Sequence, residues 1–347
     1  MPRPQDRGAD TPKERLRTKK SSFRMTASAS STANAPRVSI GLPVFNGENY
    51  ISDAISSVLA QTFTDFELII QDNASTDRTG DLCATFAARD ERIRYYRNPT
   101  NVGMAPNFNL AFGNARGLYF KWLAHDDYIE PTYLAETSRV LDERPEAVLS
   151  NTQVRYIRGD GSTVGLYDSG LARADAPSPT ARFAAMVLPS HSCVDFFGLM
   201  RRDAMNGSPL HASYHSADRA FLAQMALRGR LVQIRMPLTV MREHAERYSR
   251  QNVTPTQILR WLDASLQRSI VLPTWRLYGD YMNMVQREAL STVERLRCYG
   301  ALAQWWACNW NSARAAVDLV AIVLPGAQQA AWRLKTRLFG PAPGHFV

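Results

Sequence analysis

Two periods of apolar residues organise this chain. Val38–Val44 is a short apolar run ending at Pro43 and Val44. Ile51, Ala54, Ile55, Val58 and Leu59 follow at i, i+3, i+4, i+7 and i+8, one face of a helix. Phe66–Ile70 is the next strand-like run and stops at Asp72-Asn73. The segment Asn73–Asp77 supplies turn and cap residues for a helix carrying Leu82, Cys83, Phe86 and Ala87. Ile93–Tyr96 predicts a third strand, a helix through Phe108, Leu110 and Ala111 comes next, and Leu118–Leu123 predicts a fourth strand. Pro131 stands where the first turn of a following helix is expected. Strands alternating with helices predict an α/β fold with a parallel sheet and right-handed crossovers.

Pro43, Asp72 and the pair Asp126-Asp127 each fall at or just past the carboxyl end of a predicted strand, so connectivity alone gathers them on one rim. Adjacent carboxylates at the end of a buried strand are costly to desolvate unless a positive group joins them. That rim is also where ligands sit in open α/β sheets. For the pair alone an acidic surface turn competes; the shared rim favours a binding crevice.

From about residue 150 the pattern changes. Val154–Ile157, Val164–Tyr167 and Val194–Met200 predict strands without long helices between them, a mixed extension of the sheet. A helix over about 216–228 carries Phe221, Leu222 and Met225, and Leu231–Met241 predicts a strand ending in Arg242-Glu243-His244. Beyond 255 the chain reads as wholly helical. Its most apolar run, Val317–Leu324, is interrupted by Asp318 and stopped by Pro325, short of the ~20 residues a membrane span needs. Trp305, Trp306, Trp310, Trp332 and nearby Arg and Lys suit a membrane-surface segment, and equally a helical region packed on the domain or on a second copy.

Charge sharpens this division. The net +9 splits into +5 for residues 1–36, −1 for 37–254 and +5 for 255–347. Basicity at the two ends argues against a nucleic-acid groove in the body and suits contact with an anionic membrane surface, or simply solvated ends. Residues 1–36, with almost no large apolar residue, read as a disordered basic tail. Cys83, Cys193, Cys298 and Cys308 are scattered, which indicates neither a disulfide framework nor a zinc ribbon and suits a reducing, cytoplasmic setting, peripheral at the inner face of the membrane if the ends bind it.

Paired carboxylates on a rim suit a divalent cation, Mg²⁺ or Mn²⁺, sharing hard oxygen ligands with a diphosphate. Neither a P-loop nor a dinucleotide-binding glycine motif follows any strand. His211, His215 and Asp218 at i, i+4, i+7 raise a helical metal cluster of hydrolase type, which Pro209 and the Ser/Ala-rich turn disfavour.

Three separated segments carry a resemblance: Val38–Tyr50, Gln61–Asp77 and His125-Asp126-Asp127 resemble family 2 glycosyltransferases over about residues 37–250. The resemblance implies a GT-A, Rossmann-like, mostly parallel sheet flanked by helices. It also implies a nucleotide-sugar donor, a divalent metal and inversion at the anomeric carbon. By resemblance, Pro43, Phe45 and Glu48 line the nucleotide pocket, with Phe45 where the family commonly has Tyr. Asp72 reads the imide edge of uracil or thymine, Asn73 replaces a frequent second Asp, and Asn107 lies near the nucleotide. Asp127 is the metal ligand, Asp126 faces ribose or sugar, and His125 departs from the family pattern without explanation. Asp218 leads the helix that supplies the acceptor base, and Arg242 and His244 lie near the diphosphate.

The expectation is therefore a metal-dependent inverting transferase moving a sugar from a UDP- or dTDP-sugar to a glycan or lipid-linked hydroxyl in surface-polysaccharide synthesis. A non-catalytic nucleotide-sugar or glycan-binding protein and a sugar-phosphate nucleotidyltransferase are the rivals; a homo-oligomer is compatible with each.

Overall fold

A computed structural model describes residues 35–244, 255–266, 272–324 and 326–339. The expected basic tail lies outside the described residues apart from 35 and 36, as does the side chain of Trp332. The first half alternates as the apolar pattern predicts: β1 (Val38–Val44), α1 (Ile51–Leu59), β2 (Phe66–Asp72), α2 (Thr79–Ala87), β3 (Ile93–Arg97), α3 (Met104–Gly113) and β4 (Tyr119–Trp122). A two-residue β5 (Tyr128–Ile129), α4 (Tyr133–Glu143), the long β6 (Ala147–Arg158) and β7 (Thr163–Tyr167) follow. Then come α5 (Pro179–Val187), β8 (Leu199–Arg201), the single turn α6 (Arg202–Met205), α7 (Ala217–Arg228) and β9 (Arg230–Glu243). The remaining helices are α8 (Pro255–Leu262), α9 (Pro273–Arg287), α10 (Thr292–Trp305), α11 (Asn311–Val323) and α12 (Ala327–Phe339).

Among the described residues the strands form one nine-stranded mixed sheet, ordered β3-β2-β1-β4-β8-β6-β9-β5, with β7 paired to β6. β3, β2, β1 and β4 are parallel; β8 runs against both β4 and β6. The strand expected at Val194–Met200 is corrected here. Val194–Phe197 is a 3₁₀ turn and only Leu199–Arg201 pairs, because Cys193 enters the turn with a φ of 59°. Helix α5, which the sequence pattern did not announce, precedes that turn; Ser178 caps it by accepting from the Ala181 N–H, and Pro179 opens it.

Two apolar layers sandwich the sheet. Ile40, Leu42, Leu68 and Ile70 face Ile51, Ile55, Val58, Leu134 and Leu141 on one side. Phe120 and Trp122 face Phe183, Phe221, Tyr281, Leu302 and Trp305 on the other, so α9 and α10 share a core with the sheet. The centre of that second layer is Trp122, fully buried and stacked on Phe196 at 4.4 Å between centroids with 5° between planes. Phe120 and Phe221 meet its edges, and its Nε1–H donates to the Phe108 carbonyl at 2.9 Å. Thus one indole joins β4, α3, α7 and the 3₁₀ turn directly beneath the carboxyl rim.

Trp122→Ala removes that joint and should cost about 3–5 kcal/mol of unfolding free energy. Urea titration followed by circular dichroism measures it; a loss under about 1 kcal/mol would show that the ring is not the keystone of this layer.

Candidate active site

At the carboxyl ends of β1, β2 and β4 a cavity of about 850 Å³ opens, walled by the loops after those strands, by α3, by the start of α7 and by α8. Pro43, Phe45, Asn73, Asn107, Asp126, Asp127, Asp218 and His244 all line it. Connectivity had set Pro43 and the acidic pair on one rim, and the other five were expected at the site by resemblance.

The first wall is a pair of interlaced loops. Asn46 and Gly47 donate their backbone N–H groups to Ser75 Oγ (3.0 Å) and Thr79 Oγ1 (2.8 Å), while the Thr76 N–H donates to Asn46 Oδ1 (2.8 Å). Two expected roles change here. Glu48 is exposed and its carboxylate accepts from the Arg78 N–H at 3.0 Å, so it ties the two loops together outside the cavity lining. Asp72 is wholly buried: its Oδ1 accepts from the Ser75 N–H and its Oδ2 from the Tyr95 hydroxyl, both at 2.8 Å, with the Arg97 guanidinium at 3.4 Å. A carboxylate so enclosed shapes the 73–77 turn and does not face a base. Asn73, the next residue, lines the cavity instead.

Asn73 belongs to a neutral amide network. Its Oδ1 accepts from the Asn98 side chain (3.0 Å) and the Val102 N–H (2.9 Å), and its Nδ2 donates to Asn101 Oδ1 (2.9 Å). Asn98 also donates to Asn107 Oδ1 (2.9 Å), and Asn107 donates to the Gln71 carbonyl (2.8 Å). Saturated networks of this kind hold a surface rigid.

The acidic pair is anchored from the far end of the sheet. Asp127 is buried and accepts the Arg242 N–H on Oδ1 at 2.9 Å; Asp126 Oδ2 meets His244 Nε2 at 3.0 Å. The Arg242 guanidinium turns from the cavity, pairing with Asp53 at 2.8 Å and lying 4.4 Å over the Tyr50 ring. Of the two basic residues expected beside a diphosphate, His244 lines the cavity and Arg242 is a buttress. Lys121, also on β4, is fully buried, donates to the Trp122 carbonyl and is pushed down to about 7 by burial, with Asp127 opposing the shift.

His125 also receives an explanation. A Cβ at Gly47 would lie 2.5 Å from its Cδ2, so the ring occupies the space that a side chain at 47 would need. Burial lowers its pKa, keeping it neutral beside the acidic pair.

Asp218 stands in the first turn of α7, whose residues Ala220–Leu227 are all buried, so its position is rigid. Around it lie His191, Cys193, His211 and His215, each lining the same cavity. Arg219 pins the 189–191 segment through the Pro189 (3.1 Å) and His191 (2.8 Å) carbonyls. Burial lowers His211 and His215, and burial with the Arg219 charge lowers His191 to about 4. The histidines are therefore neutral partners of one carboxylate. The helical metal cluster weighed for His211, His215 and Asp218 is not formed: among the described residues no group of three or more His, Cys, Asp or Glu is placed to hold a metal ion.

Sequence reasoning missed the last wall. Arg260, Trp261, Leu262 and Ala264, at the end of α8, line the cavity. The Ala264 N–H donates to the Val102 carbonyl at 3.2 Å, and Gly103, at φ 94°, leaves room for Asp263, whose Cα would sit 2.5 Å from a Cβ there. The Ile258/Trp261/Leu262 spacing signals an amphipathic helix but carries no sign that it returns to the rim. Phe196 and Phe197, in the 3₁₀ turn, line the same cavity.

Known proteins share parts of this sequence and its fold. Residues 39–207 match the model of glycosyl transferase family 2, and through that segment the chain is similar to the family. An uncharacterised glycosyltransferase of Rickettsia typhi is 35% identical over 109 residues, 31% of this chain and 33% of the relative. Glycosyltransferase GlyA of Streptococcus pneumoniae is 32% identical over 98 residues, 28% of this chain and 14% of the relative. The match thus spans about a third or less of the length of these curated relatives. In fold, the chain resembles S. aureus TarS 1-349 in complex with UDP-GlcNAc, with a TM-score of 0.56 at 15% identity over 78% of this chain and 72% of that one. It also resembles the mannosyltransferase PcManGT of Pyrobaculum calidifontis in complex with GDP-Man and Mn²⁺, with a TM-score of 0.51 at 16% identity over 88% and 80%. The fold is of the GT-A kind, with a mixed sheet, flanking helices and C-terminal helices.

The depressed His191 fixes a pH dependence. Below pH 6.5 the unfolded chain takes up a proton that the folded chain refuses until about pH 4, so stability present above 6.5 is lost on acidification. The full span corresponds to about 3 kcal/mol. Thermal unfolding between pH 7 and 4.5 should show a falling Tm that His191→Gln flattens; equal pH slopes for the two proteins would count against a buried neutral ring.

Proposed function

We propose that the chain transfers a sugar from a nucleoside-diphosphate sugar to an acceptor hydroxyl with inversion, and that it does so with a divalent cation. The observation supporting this most directly is that Asp218, far in sequence from the adjacent pair Asp126 and Asp127, lines the same cavity. Its volume of about 850 Å³ is within the range of small-molecule sites.

The residues present suit Mg²⁺ or Mn²⁺. Asp127 and Asp126 offer hard carboxylate oxygens on one wall, each already oriented by a bond from the β9 end, and too few protein ligands gather there to close the coordination without substrate phosphate and water. When bound, the cation would neutralise charge on the leaving diphosphate. Arg260 adds a cation from α8 on the same cavity.

Asp218 receives the acceptor's proton. As the hydroxyl oxygen forms its bond to the anomeric carbon, the bond from that carbon to the phosphate oxygen breaks, the nucleoside diphosphate leaves, and the proton passes to the Asp218 carboxylate. Histidines held neutral by burial line the cavity beside it, and Phe196 and Phe197 offer an apolar floor for a sugar ring.

The expectation of a uracil or thymine base rested on Asp72, which is sealed from the cavity, so the proposal covers nucleoside-diphosphate sugars without a choice of base. The two similar folds carry UDP-GlcNAc and GDP-Man, one pyrimidine and one purine donor. For the acceptor we retain the hydroxyl of a glycan or lipid-linked glycan.

Purified protein with Mn²⁺ and a panel of UDP-, dTDP- and GDP-sugars should release nucleoside diphosphate, by transfer or slow donor hydrolysis. Asp218→Asn should lower turnover about 10²–10⁴-fold while leaving donor-induced thermal stabilisation intact. Asp127→Asn should raise the Mn²⁺ concentration needed by at least about tenfold. Pyrophosphate as the product would favour a nucleotidyltransferase, and stabilisation with no turnover in any protein would favour a binding protein.

A further inference from the structure

Helix α11 is turned inside out. Its inward side carries Asn311, Ala315 and Asp318, all buried, while Ala316, Leu319, Val320 and Val323, at i, i+3, i+4 and i+7, are exposed, Val323 to 79%. Leu324 adds to the same exposed apolar surface, and Ile322, one turn beyond Asp318, is exposed as well. An amphipathic helix of a globular domain normally does the reverse.

The buried acid has a structural reason. Asp318 Oδ2 accepts the Thr274 N–H at 2.9 Å in the first turn of α9, and its Oδ1 accepts the Gln328 side-chain N–H at 2.8 Å from α12. An anion at a helix N-terminus satisfies an orphan donor and the helix dipole. Trp275 Nε1 donates to the Ala315 carbonyl at 3.1 Å and fixes the same side of α11 against α9. Internal packing therefore accounts for the inward face and leaves the outward one unexplained.

Helix α12, tied to α11 by the bond of Gln328 to Asp318, also exposes a mixed face. Ala330, Arg333, Leu334, Arg337 and Leu338 are all exposed, at i, i+3, i+4, i+7 and i+8. Leucines and arginines thus alternate around one side of the helix. Across 311–339 the sequence has four Lys/Arg and one acid, and that acid is the inward Asp318. The hairpin therefore offers apolar side chains flanked by outward cations, with no acid of its own facing out.

We propose that the α11–α12 hairpin is a docking face for an anionic lipid surface. Valines and leucines enter the headgroup boundary while Arg333 and Arg337 reach phosphates, their stems lying along the apolar layer. Each helix has 13 residues, well below the ~20 a span requires, so the hairpin lies along the surface. A second copy of the chain is the weaker occupant. A two-fold interface places the same patch on both sides, so arginines would meet arginines with no acid from the hairpin to pair them. The inference rests on the hairpin alone, and vesicle binding needs no donor, so its failure leaves the transferase reading untouched.

The full chain should float with phosphatidylcholine vesicles that contain phosphatidylglycerol and stay behind with phosphatidylcholine alone, and high salt should release it. Val320→Ser with Val323→Ser, and separately Arg333→Gln with Arg337→Gln, should each weaken vesicle binding about tenfold or more. Circular dichroism verifies the fold of each variant, and the exposed arginine pair serves should the valine pair misfold. Binding unchanged in both variants would overturn the proposal. So would a protein that ignores anionic vesicles, whether light scattering finds it monomeric or finds a dimer that the valine substitutions dissolve.

Discussion

The bond from the Arg242 N–H to Asp127 Oδ1 is the constraint on which the site depends. It joins the end of β9 to the end of β4, across a sheet order in which β8 and β6 separate the two strands. A buried carboxylate needs a donor, and a backbone N–H supplies one without adding a charge that would compete for a cation. The ring of His244, at the same end of β9, meets the other acid, Asp126. The pairing of Arg242 with Asp53 and its position over Tyr50 then hold the β9 end against α1. The ends of β4 and β9 and the start of α1 must be in place before the acidic pair has its geometry.

Below this rim lies an aromatic layer, and the two depend on one another. Trp122 is one residue before Leu123 on the strand that delivers the acids, and it stacks on Phe196, itself part of the cavity floor. Phe221 ties the layer to α7, the helix that presents Asp218. The distance between the acidic pair and Asp218 is thus set by apolar packing, which resists small shifts because interiors are close-packed. The C-terminal helices reinforce the same layer through Tyr281, Leu302 and Trp305, while α11 turns its apolar stripe away from it.

Much of this was legible along the chain because local periodicity and connectivity carry it. Apolar spacing located β1 to β4 and the helices between them, and connectivity alone put Pro43 and the acidic pair on one rim. Val194–Phe197 misled because its residues are as apolar as a strand's, yet a left-handed Cys193 turns them into a 3₁₀ loop. Asp72 misled for a different reason. Its place at a strand end was read correctly, but whether a strand-end carboxylate faces solvent or the turn beneath it depends on Ser75, Tyr95 and Arg97, which no spacing rule brings together.

The sequence by itself determined the α/β class, the order of its first seven elements and the chemical character of the rim, since each follows from residues close together in the chain. Only the tertiary structure decided which groups share a cavity. It gave Asp218, His244 and the acidic pair, linked in the sequence by resemblance alone, one cavity, moved Arg242 and Glu48 to supporting positions, and brought the end of α8 back over the Gly103 turn. It also decided which side of α11 faces out, because the choice between burying Asp318 and burying the Leu319–Val323 stripe is made by an N-terminus of α9 that lies 44 residues away in the chain. These outcomes rest on contacts between distant segments, and such contacts are properties of the packed whole.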